Sequence, residues 1–214
     1  MPSLEVLLAF TAAALVMNIS PGPSNLYVMA RSIAQGTEGG LVAAAGLAVG
    51  SLVHVLATVL GLSAVFNASP LLYTVVKVLG AAYLIYLGIS YWRAGPAETP
   101  VDAPRVPRKP LATVFRESVI VEVTNPKTAL FFIAFLPQFV VPESGPVWMQ
   151  LLVLGAIVTV SALPCDVLVA VAASRVARWL TQHERAQVIQ ERVSGSILLG
   201  MGAYIMADEA LARD

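Results

Sequence analysis

The sequence predicts an all-α integral membrane protein, with six transmembrane helices arranged as a 3+3 inverted repeat and with the first and fourth helices broken. Three observations lead there. Apolar residues make up 57% of the 214 and charged residues 12%, whereas a soluble domain carries about a quarter charged residues. Six apolar stretches recur between well-separated charges, and a helix needs roughly 20 such residues to cross the hydrocarbon core. Prolines interrupt the first and fourth stretches at matching places, SPGP at 20–23 and TNPK at 124–127.

The first stretch, 6–30, lies uncharged between Glu5 and Arg31. No basic segment precedes its apolar run, so it reads as a first span and not as a cleaved signal peptide. The second, 39–66, carries only His54, and the third, 71–92, only Lys77. Asn67, Ser69 and Pro70 punctuate the apolar run between them, which favours two spans and a tight loop over one very long helix. The fourth, 118–142, contains Glu122 and Lys127; the fifth, 147–174, contains Asp166. The sixth, 193–207, has only 15 uncharged residues and must borrow neighbours such as Arg192 by snorkelling.

Between the third and fourth stretches lies a basic, proline-rich linker, 93–116, whose middle reads VDAPRVPRKP and which composition predicts to be extended. It divides the chain into a first three-helix repeat, 1–92, and a second, 117–214. Ten of the 13 Lys and Arg residues fall in loops one, three and five, which predicts those loops to be cytoplasmic and both termini outside. The formal net charge is zero, so nothing in the charge suggests a nucleic-acid partner. A single cysteine, Cys165, excludes an intrachain disulfide and a dithiol relay. No cofactor or metal site is expected.

The two breaks lie about half the chain apart, and the third spans of each half also rhyme, LGAAYLIY around Tyr83 with GMGAYIMA around Tyr204. An odd number of spans per half makes the second half enter the membrane from the opposite side, and such inverted repeats place a substrate near the midplane between the broken helices. Pro21 and Pro23 lack the N–H groups that would bond the carbonyls of Met17 and Ile19, and Pro126 likewise frees that of Glu122. Freed carbonyls suit an ammonium group. The restarting half-helices offer N–H groups and positive dipole ends that suit a carboxylate. Ser20, Pro21, Gly22, Pro23, Ser24 and Asn25, with Asn125, Pro126 and Lys127, are therefore the candidate substrate-binding residues for a zwitterion such as an amino acid. The bland alternative is a pair of kinks whose carbonyls are taken up by neighbouring side chains or water.

A charge inside the membrane costs a few kcal/mol unless paired or wetted. Lys127 could attract a carboxylate; Glu122 and Asp166, the latter just after Pro164, are candidate proton carriers. Alternatively these three neutralise one another and only hold the bundle together. Glu117 reads as interfacial, and Lys77 either snorkels or pairs with a buried acid. At 100° per residue, Gly39, Ala43, Gly46, Gly50, His54, Ala57 and Gly61 fall within about an 80° arc. That stripe of small residues lets another helix approach, within the chain or across a dimer. It also places His54 against protein, as a hydrogen-bonded core residue or a pH-sensitive element of proton coupling.

SPGPSNLYVMARSIAQG, GLVAAAGLAVGSLVH, KVLGAAYLIYLGISYW and NPKTALFFIAFLPQFV occur in order over most of the chain. Together they resemble the lysine exporter superfamily, in particular its branch of homoserine, threonine and homoserine-lactone efflux proteins. The resemblance implies a multi-pass exporter of amino acids or close derivatives in the bacterial inner membrane, driven by the proton gradient. By position, Pro21, Gly22 and Pro23 match the family's first break, and Asn125, Pro126 and Lys127 its second. The family commonly has Asn or another polar residue directly after PGP, where Ser24 stands here. Related branches export small cations or conduct thiol electrons, which the lone cysteine and only two histidines disfavour. An intramembrane enzyme using His54 and Asp166 would lack a nucleophile motif beside them.

Overall fold

The computed structural model describes residues 2–19, 22–68, 70–93 and 107–182, together with scattered helical residues between 188 and 207. Among the described residues the continuous helices are α1 (Leu4–Ile19), α2 (Pro23–Ala68), α3 (Pro70–Arg93), α4 (Leu111–Val123), α5 (Pro126–Ala134) and α6 (Val147–Gln182). Two 3-10 turns, Leu136–Phe139 and Pro142–Ser144, link α5 to α6, and no strand occurs among the described residues. The helical content and apolar composition agree with the predicted class.

Proline chemistry sets most of the boundaries. Pro23, Pro70 and Pro126 stand at the first positions of α2, α3 and α5, where the missing N–H costs nothing and the fixed φ is already helical. Ser20 and Pro21, between α1 and α2, lie outside the described residues. α4 stops at Thr124, and Asn125 caps α5 by accepting a hydrogen bond from the Lys127 N–H at 3.0 Å. The axes on either side of this break bend by 46°. Pro164 sits inside α6 without ending it.

α2 is two helical segments joined at Gly36, whose φ of 77° and ψ of −174° only glycine adopts without strain. At 46 residues it would run about 69 Å if straight, more than twice a hydrocarbon core of roughly 30 Å. Among the described residues two helices, Pro23–Ala64 and Val147–Ala172, are long and apolar enough to cross a membrane, and a third if the bent pair α4–α5 counts as one span. Their exteriors carry Leu52, Leu56, Leu60, Val160, Leu168 and Val171, all exposed, as a lipid-facing surface requires.

Two apolar clusters hold the bundle. In one, Phe10 of α1 packs against Phe131 of α5 and Phe135 just after it, its ring 5.5 Å from that of Phe135, over Leu151, Leu154 and Val158 of α6. In the other, Val28, Ala43 and Leu47 of α2 meet Val114 of α4 and Ala170 of α6. The stripe of small residues on α2 is used inside the chain: a Cβ on Gly46 would lie 2.5 Å from the Phe115 carbonyl oxygen, and one on Gly50 2.6 Å from Glu122 Cβ. Gly61, at the far end of the stripe, faces open space. The fully buried Gln150 clamps the loop before α6, exchanging hydrogen bonds with the Val141 backbone at 2.9 and 3.0 Å and donating to the Gly145 carbonyl at 2.9 Å.

Candidate functional site

The breaks before α2 and before α5, marked by Pro23 and Pro126, are 103 positions apart in the chain and meet in space. Ser24, in the first turn of α2, is 9% exposed and links them: its hydroxyl donates to the Glu122 carboxylate and accepts from Asn125 Nδ2 at 2.8 Å. Asn125 can do this because Pro126 ends α4 at that point and turns the chain into α5.

Two of the three carbonyls that the prolines deprive of a helical donor, those of Met17 and Glu122, accept from side chains in the other half of the chain. Lys127 Nζ donates to the Met17 carbonyl at 2.8 Å, the group that Pro21 leaves unbonded. His54 Nε2 donates to the Glu122 carbonyl at 2.9 Å, which Pro126 deprives of its helical donor and which also accepts from the Asn125 N–H at 3.0 Å. The His54 ring also stacks on Phe132 at 5.7 Å. The ammonium expected at the first break is thus, in this conformation, that of Lys127. Its aliphatic stem passes close to Gly22, where a Cβ would lie 3.2 Å from Lys127 Cδ.

Around this junction lies a cavity of about 40 Å³, lined by both breaks and by the facing parts of α2 and α6. By volume it has room for about two or three waters, less than an amino acid needs. Of the predicted residues, Gly22, Ser24, Asn25, Asn125, Lys127, Glu122 and Asp166 line it. Pro23 and Pro126 are exposed and shape the breaks without lining the cavity; His54 stands behind Glu122. Lys77 and His183 have no described side chain.

The cavity holds two carboxylates and one ammonium. Asp166 is 7% exposed, and no hydrogen bond or ion pair reaches its carboxylate among the described residues. Glu122, also 7% exposed, is held by Ser24. Polar residues that the sequence did not single out complete the lining: Ser51 and Thr159 share a hydrogen bond of 2.8 Å between α2 and α6. Asn18 donates to the Val158 carbonyl at 3.3 Å and to Ser161 Oγ at 3.0 Å, while its own carbonyl accepts from Asn25. Hydroxyls and amides at helix spacing are common in membrane interfaces, so nothing in their sequence context marked them. Such a lining can bind a small polar molecule with both an ammonium and a carboxylate.

Known proteins bear on this arrangement. The family model described as LysE type translocator matches residues 15–209. A homoserine/homoserine lactone efflux protein of Salmonella typhimurium is 31% identical over 92% of this chain and 94% of its own. A leucine efflux protein of Salmonella choleraesuis is 31% identical over 64% of this chain and 65% of its own, and an uncharacterized membrane protein of Vibrio cholerae is 30% identical over 97% and 99%. No solved structure matches the chain. With a family model covering residues 15–209 and relatives aligned almost end to end, the chain belongs to the LysE type translocators.

Proposed function

We propose that this protein is a secondary transporter that exports amino acids or close derivatives from the bacterial cytoplasm across the inner membrane, by alternating access with proton antiport. The observation that carries the proposal is the meeting of the two proline breaks at one polar cavity, sealed by Ser24, Asn125 and Glu122 and containing Lys127 and Asp166. The names of the relatives, which specify homoserine, homoserine lactone and leucine efflux, support the substrate class.

A six-span, 3+3 inverted topology fits these elements. The first segment of α2 completes a broken first span with α1, the second segment forms span two, and α3 span three; α4 with α5, α6, and the helical residues within 193–207 repeat the order. Arg31, Arg108 and Lys109 gather at one end, which the distribution of basic residues marks as cytoplasmic.

In this mechanism the substrate reaches the cavity from the cytoplasm, its carboxylate meeting Lys127 and the N-terminus of α5, its ammonium meeting Asp166 and Glu122. A proton arriving from outside on one of these carboxylates compensates the charge as the carrier returns. His54, bonded to the Glu122 carbonyl, couples that region to Phe132 on α5. The cavity must enlarge to accept substrate, which is what alternation between two open states provides.

The test is amino-acid appearance in the medium of cells expressing the protein and loaded with peptides, against an equally abundant Lys127→Ala variant. Accumulation of one or a few amino acids with the wild type alone is the expected result. An identical panel in both strains would remove the amino-acid reading.

A further inference from the structure

Glu117, which by sequence is merely interfacial, is a junction of charges. Its carboxylate accepts from Lys109 Nζ at 2.5 Å and from the Tyr27 hydroxyl at 2.9 Å, and lies 3.6 Å from Arg31 Nη2. The Arg31 guanidinium sits 5.2 Å from the centroid of the Tyr27 ring and donates to the Pro107 carbonyl at 3.1 Å. Gln35 exchanges hydrogen bonds with both backbone groups of Lys109, at 2.9 and 3.1 Å, and Arg108 Nε reaches the Ala34 carbonyl at 3.3 Å. The end of the linker, 107–110, is thereby tied to the first segment of α2.

The position of this network relative to the cavity gives it meaning. Tyr27, Arg31 and Gln35 follow Ser24 on successive turns of one helical segment; Glu117 precedes Glu122 on α4. The two elements that meet through Ser24 and Glu122 at the cavity meet again, through Tyr27 and Glu117, about 5–8 Å nearer the basic end. The segment closes at Gly36, whose positive φ interrupts the helix immediately after Gln35. Residues 23–35 are thus an arm pinned at the cavity, pinned again at the basic end, and hinged between its outer pin and the rest of α2.

We infer that Tyr27, Arg31, Gln35, Lys109 and Glu117 form the cytoplasmic gate of the cavity, a reversible latch that holds the arm 23–35 against α4 and releases it by rotation at Gly36. The latch is built to open. Arg31 is 5% exposed, yet its Nε has no hydrogen-bond partner among the described residues, and the side chains of Lys109 and Glu117 are about a third exposed, so water can replace their ion pair cheaply. Swinging the arm outward would part Tyr27 from Glu117 and Ser24 from Glu122 together, joining cytoplasmic access to disruption of the cavity wall. The inference rests on the exporter reading for its purpose, but its geometry can be tested without substrate.

The test places a reporter cysteine at Ala48, which lines the cavity, in a Cys165→Ala background and measures its labelling by a membrane-impermeant maleimide from each face of oriented vesicles. Glu117→Gln and Arg31→Gln are expected to raise labelling from the cytoplasmic face by about fivefold or more, the change that loss of roughly 1 kcal/mol of latch energy produces. Should Arg31→Gln fail to accumulate, Glu117→Gln and Lys109→Gln, at partly exposed side chains, decide the matter. Cytoplasmic-face rates within about twofold of the parent in accumulating variants would overturn the gate. Because no amino acid enters the assay, that result would leave the export reading standing, and failure of amino-acid export would leave a positive labelling result standing.

Discussion

Replacing Ser24 with Ala removes one hydroxyl and unmakes two contacts at once. Glu122 loses the donor to its carboxylate, and Asn125, 3% exposed, loses the acceptor for its Nδ2. A hydrogen bond to a charged group is worth about 1.5–3 kcal/mol, and orphaning a buried amide adds about 1 kcal/mol or more. The neighbouring cavity of about 40 Å³ can admit a water to the vacated position, which returns part of that loss. A net loss of about 1–2 kcal/mol is therefore expected, equivalent to a five- to thirty-fold fall in transport efficiency measured on reconstituted protein at matched abundance. Ser24→Thr keeps the hydroxyl and should retain most of the activity. If Ser24→Ala transports within about twofold of wild type, the two breaks do not depend on this contact and the reasoning fails.

Other outcomes follow from the same geometry. Lys127→Met keeps the bulk but removes the ammonium from the Met17 carbonyl, and a charge-assisted bond of about 2 kcal/mol predicts at least a tenfold loss of transport with near-normal abundance on a membrane blot. Glu122→Gln and Asp166→Asn abolish titratable protons in the cavity; each should reduce the acceleration of export by an acidic exterior, read as the ratio of rates with and without an imposed pH gradient. Gly50→Leu drives a side chain into Glu122 and the Val119 carbonyl, so a cost of about 1–3 kcal/mol from overpacking should appear as lowered thermal stability in detergent. Gln150→Leu removes the partners of the Val141 N–H and the Gly145 carbonyl and should likewise lower the melting temperature, while substrate choice stays unchanged.

The breaks were legible because proline's lost N–H acts locally: 21, 23 and 126 mark where the helix ladder fails whatever surrounds them. Helical periodicity was equally legible in the stripe on α2, and Gly46 and Gly50 do bring α2 against α4. What spacing cannot convey is which distant side chain fills a local vacancy. Lys127 lies 110 positions from Met17 and His54 lies 68 from Glu122, and only the packing of the two halves selects those pairs. Ser51, Thr159 and Asn18 escaped notice because an isolated hydroxyl or amide in an apolar helix looks the same whether it lines a cavity or bonds its own backbone. Glu117 was hidden differently: proximity to the membrane boundary offered a sufficient explanation, and although Lys109 is only eight positions away, Tyr27 lies 90 positions away and Arg31 stands one turn beyond it.

The central claim is that the cavity between the breaks moves an amino acid outward against a proton. The most direct measurement is uptake of labelled homoserine and leucine into proteoliposomes with an imposed pH gradient, interior acid, for wild type beside Lys127→Met. Saturable uptake of at least one amino acid that collapses when a protonophore dissipates the gradient, and that Lys127→Met lacks, is the predicted result. Uptake insensitive to the gradient would contradict the antiport, and equal uptake by Lys127→Met would contradict the placement of the site.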